Sequence, residues 1–385
     1  MAVTIPIHTY VHLYGDLTLD NIYDLLDQTG SNLLQAKNDC VEGKLQTQLG
    51  SGYQVVSHAY DGLALEDLDP NSGSDAIVGR NLNPKSGPKR DAYIGYLRNR
   101  EIHIFDDGKV YPTLDLRDSM DKEPQAVHYV VMSLGGEDFR RKLTTTEGGF
   151  FIKFLNCLRL VRKFKETQER YLHFVDLVPS LPRNGKNVRP ILMFQYRPAV
   201  HHDQSSPIYG LLGSVAKVVT LFQVIALGVL SWMGIRLIAG KVRIAPAVIS
   251  CLAAAFLVAS PRVVPLQVTR RMIKGQSPGM AMLGVWMEKF YRPILEYAQQ
   301  KKLPILDLPN SFNPFNQNHY ISGIEPSLEG GERIARGLAK IIKTVVTPDS
   351  QSSTIYRVGP FDTHVSKNFP NTWTVEYPLK PERVY

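Results

Sequence analysis

Short segments rich in β-branched and aromatic residues recur along the chain, and longer segments with helical spacing separate them. The first, Thr9–Tyr14, predicts a buried strand, and the spacing of apolar residues over 18–38 predicts a helix directly after it. By the same criteria, strands are predicted at 53–62, 126–138, 189–198 and 304–308, and helices at 149–174, 281–303 and 330–345. The Asp-Gly pair at 107–108 predicts a β-hairpin over 101–116.

Strands that alternate with helices favour an α/β protein with a parallel sheet. In such sheets ligands bind beyond the carboxyl ends of the strands, where residues 15–17, 61–62 and 135–138 fall here. We expect one discontinuous α/β domain from 1–208 and 262–345. The polar segment 346–385 is expected to be a loosely packed C-terminal tail.

An apolar segment at 209–261 interrupts this domain. Two uncharged runs, 218–235 and 244–259, have nearly the length that a bilayer core requires, with a short basic loop between them. They predict a helical hairpin that contacts membrane lipids, either spanning the bilayer or re-entering it. The alternative is a buried helical pair in the core of a lid or of a dimer. Basic residues flank both ends, so charge gives no orientation; the N-terminus has no signal-peptide pattern, and we expect the main domain to face the cytosol.

Charge and cysteine content narrow the possible binding partners and bound groups of the protein. The 385-residue chain carries a formal net charge of +8, but its basic residues are scattered and form no nucleic-acid motif, so no nucleic-acid partner is expected. Cys40, Cys157 and Cys251 are far apart and lack metal-ligand spacing. We therefore expect no structural metal and no cofactor, and a reducing compartment.

Four motifs at predicted strand ends resemble the conserved blocks of the SGNH (GDSL-type) hydrolases. In chain order they are YGDLTLDN (14–21), AYDG (59–62), VVMSLGGEDF (130–139) and SGIEPSLEGGERIA (322–335). The resemblance covers about 10–62, 126–198 and 280–345. It implies a three-layer α/β/α, flavodoxin-like fold and the hydrolysis of ester bonds.

The resemblance also implies a role for each site position. Family members carry a nucleophilic serine in the first block, a glycine and an asparagine for the oxyanion hole in the next two, and an aspartate and a histidine in the last. In this chain those positions hold, in order, Leu17, Gly62, Glu137, Ser322 and Glu325. A leucine has no nucleophilic atom, and an ionised glutamate repels an oxyanion. The chain therefore resembles a family member that has lost ordinary serine-esterase chemistry and acts by binding a ligand or a partner.

The same residues allow other hypotheses about function. One is an active hydrolase of an ester or acyl lipid with a relocated triad, for which Thr18, His58 and His319 are the candidates. Another is a carboxylate-based site, in which clustered acids shift one another's pKa values or bind a divalent cation. The predicted pocket-lining residues are Asp16, Asn21, Asp61, Gly62, Glu137, Asp138 and Glu325. Asp16, Asp20 and Asp138 have a structural alternative as helix caps. A third hypothesis is an interaction protein whose hairpin drives oligomerisation.

Overall fold

The fold is described from a computed structural model of the chain. The residues described are 9–16, 18–30, 32–60, 63–65, 77–78, 88–99, 109–136, 138, 150–183, 187–199, 207–240, 266–273, 276–321, 325–344, 355–358 and 363–366. Leu17, Asp61, Gly62, Glu137 and Ser322 lie outside them, as does the second apolar run at 244–259.

A seven-stranded sheet forms the centre of the protein. Its strands are β1 (Thr9–Gly15), β2 (Tyr53–Ser57), β5 (Val127–Ser133), β6 (Val188–Phe194), β7 (Ile305–Asp307), β10 (Ile355–Val358) and β11 (Thr363–Ser366). They lie in the order β11-β10-β7-β6-β5-β1-β2, and every neighbouring pair is parallel except β10 and β11. Two small antiparallel pairs lie outside this sheet: β3 (Ile77–Val78) with β4 (Lys109–Val110), and β8 (Tyr320–Ile321) with β9 (Glu325–Pro326).

Helices make up most of the remaining described residues. They are α1 (Ile22–Gln28), α2 (Leu33–Asp39), α3 (Val41–Leu49), α4 (Pro88–Asn99), α5 (Pro112–Lys122), α6 (Phe150–Leu177), α7 (Pro207–Ile238), α8 (Leu266–Ile273), α9 (Pro278–Lys301) and α10 (Leu328–Thr344). On one face, Leu13 joins a core with Leu45 of α3 and Leu338 of α10. Tyr14 points to the other face, where it stacks on Phe174 of α6. The predicted three-layer α/β arrangement with a mostly parallel sheet is confirmed.

Two local predictions are wrong. The second half of the hairpin predicted over 101–116 does not form a strand, because Pro112–Lys122 is a helix. Its proline lies in the first turn, where no backbone N–H is needed. The single helix predicted over 18–38 is two helices, α1 and α2, separated by a turn at Gly30, whose φ is +58°. Glycine adopts that left-handed conformation without steric cost.

Part of the predicted C-terminal tail belongs to the sheet. Strand β10 pairs in parallel with β7, and β11 pairs antiparallel with β10. Arg357 Nε donates to Asp307 Oδ2 at 2.7 Å, with the Asp307 side chain fully buried at the end of β7. The boundary at 345 therefore omits residues that complete the sheet.

The chain divides into two compact units. The first contains 1–141, 166–202 and 291–385, and therefore the whole sheet; the second contains 142–165 and 203–290. Inside the second unit, Arg271 and Glu288 form a largely buried ion pair at 2.9 Å. Gln223 Oε1 accepts from Thr269 Oγ1 at 2.6 Å, which ties α7 to α8.

Helix α7 contains the first predicted apolar run. Within the described residues it supplies one segment, Gly213–Arg236, that is long and apolar enough to cross a membrane, and 14% of its most apolar 18-residue window is buried. Six large apolar side chains of α7 are between 43% and 66% exposed: Leu221, Val224, Ile225, Val229, Trp232 and Ile235. Their spacing places them on one face of the helix, and we call this set the exposed stripe.

Candidate functional site

The chain leaves β1 through Asp16, whose carboxylate lies at the carboxyl edge of the sheet and is 2% exposed. Asp16 Oδ1 accepts from the Thr18 backbone N–H at 3.1 Å and from Ser133 Oγ at 3.2 Å. The Asp16 backbone N–H also donates to Ser133 O at 3.1 Å, so β1 and β5 remain joined beyond their last paired residues. Asp16 therefore holds the turn after β1 and does not cap α1, whose N-cap residue is Asn21.

Gln195, the first residue after β6, connects this carboxylate to its surroundings. Its Nε2 lies 2.8 Å from Asp16 Oδ2 and 2.7 Å from Ser133 Oγ, and donates to both. Its Oε1 accepts from Thr18 Oγ1 at 2.5 Å, and its backbone N–H donates to Tyr291 Oη at 2.9 Å. We call Asp16, Thr18, Ser133 and Gln195 the Asp16 cluster.

Two glycines permit the close approach of these strands. A Cβ on Gly15 would lie 2.2 Å from Ser133 O, far inside van der Waals contact. A Cβ on Gly136 would lie 2.7 Å from both Asp16 Oδ2 and Gln195 Cδ. Glycine at these two positions is therefore a packing requirement of the Asp16 cluster.

Three buried tyrosines surround the cluster. Burial raises the pKa values of Tyr171, Tyr196 and Tyr291, and the nearby Asp16 carboxylate raises each of them further. A phenol with a raised pKa stays neutral at physiological pH and serves as a hydrogen-bond donor or acceptor. Tyr196 also hydrogen-bonds to Thr18, and Tyr291 accepts from the Gln195 backbone N–H, so these two tyrosines extend the polar network of the Asp16 cluster.

The predicted acidic residues that are described lie near these tyrosines. Glu325, half-buried in β9, raises the pKa of Tyr196 together with Asp16. Asp138 raises the pKa of Tyr291 together with Asp16, and its Oδ2 accepts from the Leu65 backbone N–H at 2.8 Å. Among the described residues, no group of three acidic, histidine or cysteine side chains has the geometry of a metal site.

Asn21, predicted to line the pocket, has a structural role. Its Nδ2 donates to Pro326 O at 3.2 Å, and its Oδ1 accepts from the Val41 backbone N–H at 3.1 Å. The buried amide thereby joins the start of α1 to β9 and to α3. Both ends of the Asn21 side chain are therefore hydrogen-bonded to backbone groups.

The candidate bases for a relocated triad are both engaged elsewhere. His58 is buried, and its Nε2 lies 3.2 Å from His12 Nδ1. His319 Nδ1 accepts from the Asn313 backbone N–H at 3.2 Å, and its Nε2 lies 3.2 Å from Glu329 Oε1. Burial and the positive charge of Arg333 lower the pKa of His319 to about 3, far below the range of an effective general base at neutral pH.

The two hydroxyls of the Asp16 cluster have no histidine among the hydrogen-bond partners that the described residues give them. Thr18 is 1% exposed and bonds to Gln195 and Tyr196. Ser133 is 0% exposed and bonds to Asp16 and Gln195. An attacking serine or threonine requires access to the substrate and a base within hydrogen-bond reach.

Sequence reasoning missed Ser133, Gln195 and the three tyrosines. Ser133 and Gln195 each stand at or just after the end of a buried strand, and the carboxyl ends of neighbouring parallel strands meet at one edge. That rule would have selected both residues. Tyr171 and Tyr291 lie on helices distant in sequence, and no local pattern distinguishes them from core residues.

Comparisons with known proteins give only distant similarities. No family model and no curated protein matches the chain. Among solved structures, Est24, a carbohydrate acetylesterase from Sinorhizobium meliloti, is 10% identical, with a TM-score of 0.35 over 88% of this chain and 99% of that one. A second crystal structure is 11% identical, with a TM-score of 0.37 over 88% of this chain and 98% of that one. At such identities and TM-scores these similarities do not assign the chain to a family.

Proposed function

We propose that the protein is a membrane-attached, SGNH hydrolase-like protein that binds a ligand at the carboxyl edge of its sheet and lacks ordinary serine-esterase activity. The observation that supports the proposal is that the Thr18 and Ser133 hydroxyls are buried and already hydrogen-bonded. Both are buried and committed to Gln195, Asp16 or Tyr196. With leucine at position 17, the first block supplies no other hydroxyl in its place.

The ligand that suits this edge is a small-molecule ester or the polar part of a lipid. Glu325 provides a half-buried carboxylate, which accepts hydrogen bonds from hydroxyl and N–H groups. The carboxylates Asp16, Asp138 and Glu325 disfavour an anionic group there. A neutral, hydroxyl-bearing ligand is therefore the expected class.

Membrane attachment through 209–261 is supported by the exposed stripe on α7. Large apolar side chains on one helix face, contiguous along the helix and open to solvent, are typical of a surface that is covered by lipid or by a partner. Arg236 lies 5.2 Å from the Trp232 ring at the C-terminal end of the stripe, and such aromatic and basic residues are common at headgroup level.

A serine-directed fluorophosphonate probe tests the catalytic part of the proposal. The full chain is purified in detergent and treated beside an active serine esterase, and we expect the esterase to be labelled and this chain not to be. Labelling that disappears in Ser133→Ala or in Thr18→Val would identify a relocated nucleophile. Labelling that survives both changes would place a reactive serine elsewhere, and either result overturns the proposal.

Thermal shift with short-chain esters and monoacylglycerols, which are neutral, tests the binding part. We expect an upward shift with a member of this panel, and its loss in Glu325→Gln, which removes the charge but keeps the shape of the side chain. Glu296→Gln, on an exposed part of α9, is the matched control and should retain the shift. No shift across the panel, or an equal shift in both variants, would contradict binding at this edge.

A second candidate function is an ester hydrolase with a carboxylate-assisted serine. The observation that favours it is the Ser133–Asp16 pair, in which a hydroxyl lies 3.2 Å from a carboxylate oxygen. The complete burial of Ser133 argues against this candidate, since a nucleophile must reach the ester carbon. Loss of fluorophosphonate labelling in Ser133→Ala is the result that separates this candidate from the first.

A further inference from the structure

Three histidines lie on one diagonal across three neighbouring strands. His128 is opposite Tyr10 in the parallel register of β1 and β5, two residues before His12. The backbone N–H of His58 donates to Leu13 O at 2.7 Å, which places His58 beyond His12 toward the carboxyl edge. Because side chains alternate along a strand, steps of two residues keep all three rings on the same face of the sheet.

The three rings form a continuous chain of hydrogen bonds. His58 Nε2 lies 3.2 Å from His12 Nδ1, and His12 Nε2 lies 2.9 Å from His128 Nδ1. His128 Nε2 lies 2.9 Å from the backbone carbonyl oxygen of Glu123, in the turn before β5. All three side chains are buried, and neither His12 nor His128 takes part in the Asp16 cluster.

The carbonyl group fixes the direction of every bond in this chain. A carbonyl oxygen accepts only, so His128 Nε2 carries a hydrogen and donates to Glu123 O. In the neutral ring His128 Nδ1 is then an acceptor, so His12 Nε2 must donate to it. By the same step His58 Nε2 donates to His12 Nδ1. The neutral chain therefore has one arrangement, with Nε2–H on every ring and an unprotonated Nδ1 on His58.

This arrangement also limits the number of protons that the chain holds. One added proton leaves every hydrogen bond intact, whichever ring carries it. The rings between that ring and the His58 end change to the Nδ1–H tautomer, which reverses the direction of their hydrogen bonds. A second added proton would place two N–H donors against each other at one of the two ring–ring contacts. Chains of rings that share one proton titrate as a unit.

We propose that His58, His12 and His128 form a single-proton relay, in which one proton shared by the three rings enters at the buried His58 Nδ1. Uptake from hydronium breaks one of its O–H bonds, forms an N–H bond at His58 Nδ1 and releases water. The Nε2–H bond of His58 breaks as its proton passes to His12 Nδ1, and the Nε2–H proton of His12 passes likewise to His128 Nδ1. The charge then resides on His128, beside the exposed residue Glu123.

The surroundings of the chain suit this role. Within the described residues, the other titratable groups recorded beside the rings are Tyr10, which stacks against His12 and His128, and Glu123, whose carboxylate favours charge on His128. Burial and the neighbouring histidines lower the pKa of His12 well below its ordinary value. The pKa of His128 is lowered by burial, with Glu123 acting in the opposite direction. The middle ring therefore passes a proton on and does not retain it, and His128 is the ring on which Glu123 favours the charge.

Imidazole ¹⁵N spectra of the full chain test the relay. At pH 7.5 we expect the Nε2–H tautomer on all three rings. On acidification we expect all three to change with one common midpoint and a total uptake of one proton. A different tautomer on any of them, separate midpoints that sum to more than one proton, or no titration before unfolding would each overturn the relay.

Two variants separate proton transfer from packing. His12→Gln retains an amide donor and acceptor but transfers no proton, so His58 and His128 should titrate separately, with midpoints about one pH unit or more apart. If that variant does not fold, His128→Gln shortens the chain to two rings, which should still share one proton. His173→Gln, on the exposed side of α6, should leave the common midpoint unchanged. Unchanged joint titration in His12→Gln would refute the relay.

Discussion

Gln195 donates to both carboxylate oxygens of Asp16, at 2.9 Å to Oδ1 and 2.8 Å to Oδ2, although β6 and β1 are separated in the sheet by β5. A single amide thus satisfies a buried carboxylate from two strands away. Buried acceptors that lose a donor are costly, because water does not replace it. The stability of the carboxyl edge therefore depends on a residue that no sequence motif identifies.

Replacing Gln195 with alanine should lower the free energy of unfolding by about 3 kcal/mol, since it removes donors from a buried carboxylate and from Ser133. Urea unfolding followed by circular dichroism measures the change. Gln35→Ala, at an exposed position on α2, is the matched control and should change stability by less than about 0.5 kcal/mol. Equal effects of the two substitutions would show that the bonds of Gln195 contribute nothing.

Gly136→Ala should destabilise the same cluster by about 1–3 kcal/mol, because the new methyl group would overlap Asp16 Oδ2 and Gln195 Cδ. Gly52→Ala is the control, since a Cβ there meets nothing within 4 Å. Thermal unfolding of both variants decides the matter. A neutral Gly136→Ala would mean that the strand ends lie further apart than described.

Arg357→Ala should reduce stability by about 3 kcal/mol, because it leaves the fully buried Asp307 carboxylate without its cation. Arg357→Lys should recover part of the loss, since an ammonium group restores the charge but not the guanidinium geometry. Chemical unfolding of the three proteins provides the comparison. If Arg357→Ala unfolds like the wild type, the C-terminal strands do not stabilise the sheet.

Stability should fall as the pH is lowered below about 6.5, the ordinary histidine value. The pKa values of His12, His128 and His319 are all lowered in the folded state, to about 3 for His319, so the unfolded chain binds protons first. Each histidine then contributes a slope of about 1.4 kcal/mol per pH unit between 6.5 and its folded pKa, with the folded state more stable at higher pH. Urea unfolding between pH 7.5 and 5 measures the total.

His319→Gln should reduce the dependence of the unfolding free energy on pH by about 1.4 kcal/mol per pH unit, the contribution of one histidine. Replacement of the exposed His173 by glutamine should not change it. A stability that is constant between pH 7.5 and 5 would show that these histidines titrate alike in the folded and unfolded chain.

Trp232 should lie at the headgroup level of a bilayer, since it stands near the end of the exposed stripe beside Arg236. In a variant with Trp286 and Trp373 replaced by phenylalanine, phospholipids brominated near the headgroup end of their acyl chains should quench its fluorescence. A matched variant that retains only the buried Trp286 should not be quenched. Absence of quenching at Trp232, together with a concentration-dependent dimer in detergent-free buffer, would assign the stripe to a second copy of the chain.

The sequence predicts the main strands well because each is a short apolar run followed by a helix, as at Val127–Ser133 and Val188–Phe194. It fails where a local signal competes with another. The Asp-Gly pair before Lys109 suggested a hairpin, but Pro112 at the first helical position indicated the helix that forms.

Contacts between distant strands could not be predicted from the sequence alone. The diagonal of His58, His12 and His128 depends on the parallel register, which no single strand encodes. Strand β10 was missed because it is only four residues long within an otherwise polar segment, and its pairing depends on the edge that β7 offers. The predictions at Leu17, Asp61, Gly62, Glu137 and Ser322 remain predictions, since these residues lie outside the described part of the chain.

The parallel pairing of β10 with β7 has a consequence for the order of events during synthesis. The ribosome makes α7 between β6 and β7, and it makes β10 only near the end of the chain. The exposed stripe is therefore made while the sheet still lacks β7, β10 and β11. The apolar surface of the stripe is therefore part of a nascent chain whose sheet is incomplete.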